Sequence, residues 1–263
     1  MDRLIYDVGV CNGDDSAYYL TKAHQVVGVE ASPVACEMLR ARFAEQIADG
    51  RYVLVNVGVA AEEGELDFWI SDQPEWSSFD RRVASRRGTD HRSVKVPTRA
   101  FSSILGEFGV PDFLKVDIEG HDHLCVLSLT VATAPANLSV ELGPKTREMI
   151  SHLHHVGYVG FKFISQRTLA PANPALCSVV YRLPSRLKRL YRRADKRLNG
   201  AWRDGDWTFA PGSSGPLSTK TRGKWISFER ALETHRHLTE LDRKTSSGGL
   251  EDWFDIHATR ALA

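Results

Sequence analysis

Short apolar runs rich in β-branched residues alternate with amphipathic segments in this 263-residue chain, and that alternation limits the folds it can adopt. Runs at 3–8, 25–30 and 51–59 are bounded by turn signals and predict strands. Between the last two, Ser32 and Pro33 stand where a helix cap and a first helical residue are favoured. The pattern predicts an α/β fold with a doubly wound, mostly parallel sheet.

Later segments continue the alternation through residue 183. "GELDFWIS" at 64–71 alternates like an antiparallel strand, and the polar stretch 72–93 indicates a loop. We expect helices near 99–107, 145–156, 185–198 and 227–241, and strands near 111–120, 137–143, 158–164 and 176–182. Residues 1–183 are therefore predicted to form the core domain. Residues 184–263 are predicted to form a helical and irregular extension packing on it, as an acceptor site, a lid or an oligomer contact.

The charge of the chain is unevenly distributed. Residues 182–197 carry eight basic residues and one acid, which leaves the remainder at −6 against an overall net charge of +1. A basic helix at 185–198 can bind nucleic acid or anionic membranes, or it can be a solvated face whose leucines pack on the core. No RNA-binding module accompanies it, so we favour packing. A nucleic-acid-binding protein or an RNA methyltransferase is the alternative.

Segments that direct a chain to a membrane or an export pathway are not evident. No apolar run approaches the roughly 20 residues of a membrane span, and the first strand leaves no room for a signal peptide. The four cysteines are scattered without a C-x-x-C pair, which indicates free thiols in a reducing compartment. We expect a cytoplasmic protein without a membrane span.

The turn "YDVGVCNGDD" at 6–15 is typical of a strand leading through glycines into a helix that binds a cofactor. A dinucleotide site requires G-x-G-x-x-G, whose middle glycine lets the backbone approach a pyrophosphate. Here Gly9 and Gly13 leave Cys11 in the middle position. An NAD-dependent enzyme is thus the weaker interpretation.

The charge of the turn favours a different nucleoside. Asp7, Asp14, Asp15 and Glu30 cluster at the expected mouth, and the turn itself carries no Lys or Arg. A pyrophosphate would be repelled there, whereas S-adenosylmethionine has no phosphate and carries a sulfonium and an ammonium. Glu30 ends the second strand, where a carboxylate can accept hydrogen bonds from two ribose hydroxyls. The residues therefore favour S-adenosylmethionine as the cofactor.

"DVGVCNGDDSAYYL", "VVGVEASP", "VNVGVA" and "LKVDIEG" occur in the order found in FkbM-type S-adenosylmethionine-dependent methyltransferases, which the chain resembles over about residues 3–182. The resemblance implies a class I methyltransferase, Rossmann-like fold and methyl transfer to oxygen on a sugar or natural product. It implies cofactor contacts for Asp7, Gly9, Asn12, Gly13, Glu30, Ala31, Asn56 and Val57. It also matches Asp117, Glu119 and Gly120 to a D-[IV]-E-G signature, and Ser77 and Ser78 to a serine pair facing cofactor or acceptor. His121 and His123 depart from the residues usual after that glycine.

Removal of the acceptor's proton requires a base, and two residues are candidates. Asp117 ends the strand predicted nearest the cofactor turn, and His121 has an ordinary pKa near ~6.5 that suits neutral pH. The alternative is that Asp117 binds the ammonium of the cofactor and His121 caps the next helix. We hold both interpretations open.

A magnesium site is a further alternative at this position. Asp117, Glu119, His121 and Glu141 offer suitable ligand atoms. Residues 117 and 119 alternate on a strand, however, and would face opposite sides without a bend. We therefore expect no metal, and predict an S-adenosylmethionine-dependent O-methyltransferase acting on a saccharide or related small metabolite. The C-terminal extension could also form the contact of a homodimer.

Overall fold

The computed structural model describes residues 3–199, 202–210, 212–243 and 253–262. The chain divides into two compact units, Met1–Ala136 and Asn137–Ala263. This division falls inside the segment predicted as one core. The assignment of 184–263 as an extension stays a prediction.

A parallel sheet forms the centre of the first unit. The strand order is β3-β2-β1-β7, and each neighbouring pair is parallel. The predicted α/β fold with a Rossmann-like parallel arrangement is confirmed, and the carboxyl ends of these strands share one edge. The strands described in this unit are β1 Leu4–Val8, β2 Gln25–Val29, β3 Tyr52–Val55, β4 Gly58–Val59, β5 Gly64–Ser71, β6 His91–Arg99 and β7 Phe113–Val116.

Helices follow the parallel strands of the first unit. Ser32 caps the second helix by accepting a hydrogen bond from the Ala35 N–H at 3.3 Å, with Pro33 in the first turn, as predicted. Aromatic side chains pack the first helix on the sheet, since the rings of Tyr19 and Phe113 lie 5.6 Å apart in an edge contact. The helices described are α1 Asp14–Leu20, α2 Pro33–Arg42, α3 Ala44–Ala48, α4 Arg81–Ala84, α5 Phe101–Phe108 and α6 Asp122–Val126, with 3-10 turns at Pro74–Trp76 and Arg86–Gly88.

The middle of the first unit's sequence forms a small second sheet of three strands. Its order is β4-β6-β5, and β5 is antiparallel to β6, as its alternating sequence predicted. The segment 72–93, predicted as a loop, contains short helical turns, and its end enters β6. The predicted helix at 99–107 begins at Phe101 because β6 continues to Arg99.

The second unit is built around three antiparallel strands. β12, which the sequence did not predict, lies between β8 and β9 and pairs with both, and its six residues are buried. In the part of the chain that is described, no helix combines the length and apolar character that crossing a bilayer requires. The elements are β8 Asn137–Glu141, α7 Thr146–His155, β9 Gly160–Ser165, α8 Pro174–Arg182, α9 Ser185–Asn199, β10 Arg203–Asp204, β11 Trp207–Thr208, α10 Phe228–Arg243 and β12 Phe254–Thr259.

The sequence prediction of a strand fails at α8, and two leucines of α9 are not packed as expected. The predicted strand at 176–182 is a helix, because Asn173 accepts the Leu176 N–H at 3.1 Å and Pro174 occupies the first turn. The leucines of α9 were expected to pack on the core. Leu187 and Leu190 are instead 46% and 53% exposed.

Candidate active site

The turn after β1 holds its shape through residues in the left-handed region. Gly9 and Gly13 both have φ +84°, and Cys11 between them has φ +53°. The Gly9 N–H donates to the Val29 carbonyl at 2.9 Å, which ties the turn to the end of β2. A Cβ at Gly9 would lie 1.7 Å from the carbonyl oxygen of Asp117, a contact that no side chain can make. Glycine is therefore required because the turns after β1 and β7 meet there.

Asp7, predicted to contact the cofactor, is fully buried beneath the turn. Its carboxylate lies 3.1 Å from the Lys115 ammonium and accepts a hydrogen bond from the Ser16 hydroxyl at 2.6 Å. Lys115 also donates to the Gly9 carbonyl at 2.5 Å. Asp7 thus supports the turn through Lys115.

Asn12 lies on the exposed side of the same turn. Its side-chain oxygen accepts the Asp14 N–H at 3.0 Å, at the start of α1. Arg42, on α2, donates to the Asn12 carbonyl at 2.6 Å and pairs with Asp14 at 2.8 Å. The turn contains no Lys or Arg, but the fold places Lys115 and Arg42 beside it. Their positive charges neutralise those of Asp7 and Asp14.

Glu30 lies at the end of β2 beside the turn. One carboxylate oxygen accepts the Cys11 N–H at 2.9 Å, and the other accepts the Ser32 N–H at 2.8 Å. Glu30 is 8% exposed, and burial raises its pKa although these two hydrogen bonds oppose the shift. Since a carboxylate has about four acceptor positions, the group can accept further hydroxyl donors in addition to both N–H groups.

The segment after β3 is tied to the same end of β2. The Asn56 side-chain amide donates to the carbonyls of Glu30 and Ala31, at 2.9 and 3.3 Å. Val57, the next residue, is half-buried. Asn56, one of the predicted neighbours of the adenine, is therefore hydrogen-bonded to the backbone of the residue predicted to hold the ribose.

The predicted serine pair occupies the segment after β5. Ser78 is 1% exposed, and its hydroxyl donates to the Glu119 carbonyl at 3.1 Å while it accepts the Asp80 N–H at 3.0 Å. The Ser77 hydroxyl accepts the Ser71 N–H at 3.1 Å. Ser78 therefore joins this loop to the turn after β7.

That turn bends sharply and is closed by a buried acid. Glu119 has φ +51° and Gly120 has φ +98°. The Asp122 carboxylate accepts the Ile118 N–H at 2.9 Å and the Gly120 N–H at 3.1 Å. The expectation that strand alternation separates Asp117 from Glu119 is wrong, because β7 ends at Val116 and the chain bends immediately afterwards.

The bend brings two carboxylates together with pKa values near neutrality. Carboxylate oxygens of Asp117 and Glu119 lie within 4.8 Å of each other. Burial raises the pKa of Asp117 to about 6, against the opposing charge of Lys115. Burial, and then the charge of Asp117, raise the pKa of Glu119 to about 7, opposed by Arg86, whose guanidinium lies 3.0 Å from it. The pair can accept a proton at physiological pH.

His121 follows this turn and is half-buried. Its ring makes an edge contact with Phe79, with 5.7 Å between centroids, and stacks on His123 at 6.3 Å. Its Nδ1 is buried without a hydrogen-bond partner among the described residues. Burial lowers the pKa of His121 below its ordinary value, and the charge of Asp80 opposes this shift.

The first unit thus joins the predicted residues into two connected groups. Glu30 connects the turn after β1 with the segment after β3, and Glu119 connects the turn after β7 with the loop carrying Ser78. Gly9 and Asp117 connect the two groups. Sequence reasoning missed the contributions of Lys115, Arg42, Arg86 and Asp122, although the position of Asp122, five residues past Asp117, suits a turn-closing acid.

Comparison with known proteins adds the family. The family model for the methyltransferase FkbM domain matches residues 7–159, more than half of the chain. Among curated proteins, none matches this chain.

Solved structures of several methyltransferases are similar over part or most of the chain. An FkbM methyltransferase from Methylobacillus flagellatus is 15% identical with a TM-score of 0.40, covering 57% of this chain and 37% of its own. A TehB-like SAM-dependent methyltransferase from Corynebacterium glutamicum is 12% identical with a TM-score of 0.33, covering 62% and 68%. The O-methyltransferase TomG from Streptomyces achromogenes, solved with SAM, is 11% identical with a TM-score of 0.33, covering 98% and 74%. This chain therefore spans only about a third of the FkbM methyltransferase from Methylobacillus flagellatus. The family model, matched across the turns described above, shows that the chain belongs to the FkbM-domain methyltransferases.

Proposed function

We propose that this methyltransferase uses S-adenosylmethionine to methylate a hydroxyl of a saccharide or related small metabolite. The observation that carries the proposal is the Glu30 carboxylate, fixed at the end of β2 by the N–H groups of Cys11 and Ser32. A buried acid in this place, next to a left-handed glycine turn, is suited to two adjacent ribose hydroxyls.

The residues around Glu30 fit a nucleoside. Its carboxylate has acceptor positions beyond the two N–H bonds. The proposal assigns the base to Asn56, whose amide donates to the Glu30 backbone carbonyl, and to the next residue, Val57. Gly9, Asn12 and Gly13 shape the turn that borders this group. S-adenosylmethionine supplies the methyl group when bound there.

We assign removal of the acceptor's hydroxyl proton to carboxylates in the turn after β7. In the proposal, Asp117 and its partner Glu119 accept the hydroxyl proton, because their pKa values of about 6 and about 7 leave a substantial ionised fraction at neutral pH. His121 is the alternative base, with its pKa lowered by burial and a buried Nδ1. Ser78 positions Glu119 by hydrogen bonding to its carbonyl.

The proposal assigns acceptor specificity to residues outside the turns. The extension from 184 onward contributes acceptor contacts or a dimer contact, and the absence of cysteine pairing motifs favours a cytoplasmic location.

Isothermal titration with S-adenosylmethionine and S-adenosylhomocysteine tests the cofactor assignment. We expect saturable binding by the parent chain and at least about tenfold weaker binding by Glu30→Ala, because one buried charged acceptor contributes roughly 1.5 to 3 kcal/mol. Glu37→Ala, which removes an exposed carboxylate on α2, is the matched control. Equal affinities for parent and Glu30→Ala, or tight uptake of NAD instead, would overturn the proposal.

A further inference from the structure

Two successive helices of the second unit leave aliphatic side chains in solvent. Leu187 and Leu190 of α9 are 46% and 53% exposed, and Leu176 and Val179 of α8 are 43% and 59% exposed. Folded proteins seldom leave neighbouring large aliphatic residues exposed unless the surface has a partner. These residues therefore mark an interaction surface outside the candidate active site.

The same helix carries positive charge on another side. Arg186, Arg189 and Arg193 are all exposed. At 100° per residue, Arg186 lies about 70°, Arg193 about 90° and Arg189 about 130° around the helix from the midpoint between Leu187 and Leu190. Leu187 and Leu190 lie about 60° apart, so α9 has an apolar stripe that is bordered by arginines and continues into a basic face.

We propose that α9, with the exposed residues of α8, binds the surface of a membrane that contains anionic lipids. A helix with leucines on one side and arginines on the other lies in the interface plane, with its apolar side chains below the headgroups. The net charge of +7 over residues 182–197 complements the negative surface of such a membrane. RNA offers phosphates for the arginines but no apolar layer for Leu187 and Leu190, so the exposed leucines favour lipid.

Co-sedimentation with phosphatidylcholine vesicles, with and without phosphatidylserine, tests this inference on the full chain. We expect binding only to the vesicles that contain phosphatidylserine, weakening as salt is raised. Arg189→Gln with Arg193→Gln should weaken it about tenfold or more, since each cation near an anionic surface contributes roughly 1 kcal/mol. Leu187→Gln with Leu190→Gln leaves the charge unchanged and should weaken it by a similar factor.

Matched controls separate this surface from general effects of charge and polarity. Arg40→Gln with Arg92→Gln removes two exposed cations of the first unit, and Val110→Gln with Val131→Gln removes two aliphatic residues that are 44% and 60% exposed. Both control variants should bind vesicles like the parent.

Three outcomes would overturn the inference. One is the absence of binding to phosphatidylserine vesicles. Another is binding to a polyuridine RNA that is lost in the arginine variant while the leucine variant keeps its vesicle affinity. The third is a dimer, detected by sedimentation equilibrium, that the leucine variant converts to a monomer while vesicle binding persists, because a second copy would then cover the leucines.

Discussion

The Lys115 ammonium lies 3.1 Å from an Asp7 carboxylate oxygen, and both side chains are almost completely buried, at 5% and 0% exposure. Burial by itself would lower the pKa of Lys115, but Asp7, Asp117 and Asp15 raise it above its ordinary value. The lysine is therefore charged, and its hydrogen bond to the Gly9 carbonyl fixes the turn after β1 to β7. The pair connects the stability of the sheet to the shape of the turn.

Lys115→Met should reduce the free energy of unfolding by roughly 3 to 5 kcal/mol, because it leaves a buried carboxylate without its cation. Urea denaturation of parent and variant measures the loss. The double variant Lys115→Met with Asp7→Asn removes both charges of this pair, so part of the stability should return. A double variant whose losses simply add would show that the two side chains do not depend on each other.

Gly9→Ala should abolish cofactor binding and destabilise the first unit, because its Cβ would overlap the Asp117 carbonyl at 1.7 Å. Gly50→Ala is the matched control. Gly50 also has a left-handed φ, +77°, but a Cβ there meets nothing within 4 Å. It should cost only about 1 to 2 kcal/mol of backbone strain.

Thermal unfolding and S-adenosylhomocysteine titration of both glycine variants measure the difference. If Gly9→Ala and Gly50→Ala lose the same stability and affinity, the loss is caused by the left-handed φ angle alone. The close approach of the two turns then has no functional role.

The pH dependence of methyl transfer should reflect the titration of the Asp117 and Glu119 carboxyl groups. A base must be deprotonated to accept a proton, so kcat/KM should rise with pH through the pKa of Glu119, about 7. Arg86 lowers that pKa, so Arg86→Gln should shift the rise to higher pH. Initial rates measured across the pH range, with an acceptor identified by labelled methyl transfer in extracts, provide the profile.

Two substitutions identify the group that titrates. Glu119→Gln should move the midpoint of the rise from about 7 toward about 6, the pKa of the remaining carboxyl group, Asp117. His121→Gln should keep the midpoint. A profile lost in His121→Gln and unchanged in Glu119→Gln would assign the base to the histidine.

The local parts of this site could be predicted from the sequence, whereas its long-range partners could not. The glycine turn, the cap at Ser32 and the acid ending β2 depend on short stretches whose signals lie within a few residues. Lys115 and Arg86 act across 108 and 33 positions of sequence, and only the fold places them against Asp7 and Glu119.

Two misassigned elements have different physical causes. The apolar run before Arg182 looked like a strand because its length suits either element, and the cap at Asn173 decides for a helix. β12 follows β8 by more than a hundred residues, and its six residues are buried between β8 and β9. Pairing at such separation leaves no local signal.

A buried histidine should make the second unit sensitive to acid. His257 is fully buried, and the Ser218 hydroxyl, which donates to the Leu138 carbonyl at 2.9 Å, accepts from its Nδ1 at 2.9 Å. The Nε2 then carries the lone pair and has no partner among the described residues. Burial, and then the charge of Lys162, lower the pKa of His257 from 6.5 to about 3.

The sign of the stability change follows from proton binding. Between pH 6.5 and about 3 the unfolded chain binds a proton at His257 that the folded chain does not, so stability falls as the pH falls through that window. The contribution is at most about 1.4 kcal/mol per pH unit. Urea unfolding of the parent and of His257→Gln between pH 7 and 5 should show a steeper loss for the parent. Parallel lines for the two proteins would mean that the histidine is charged in the folded state or solvated there.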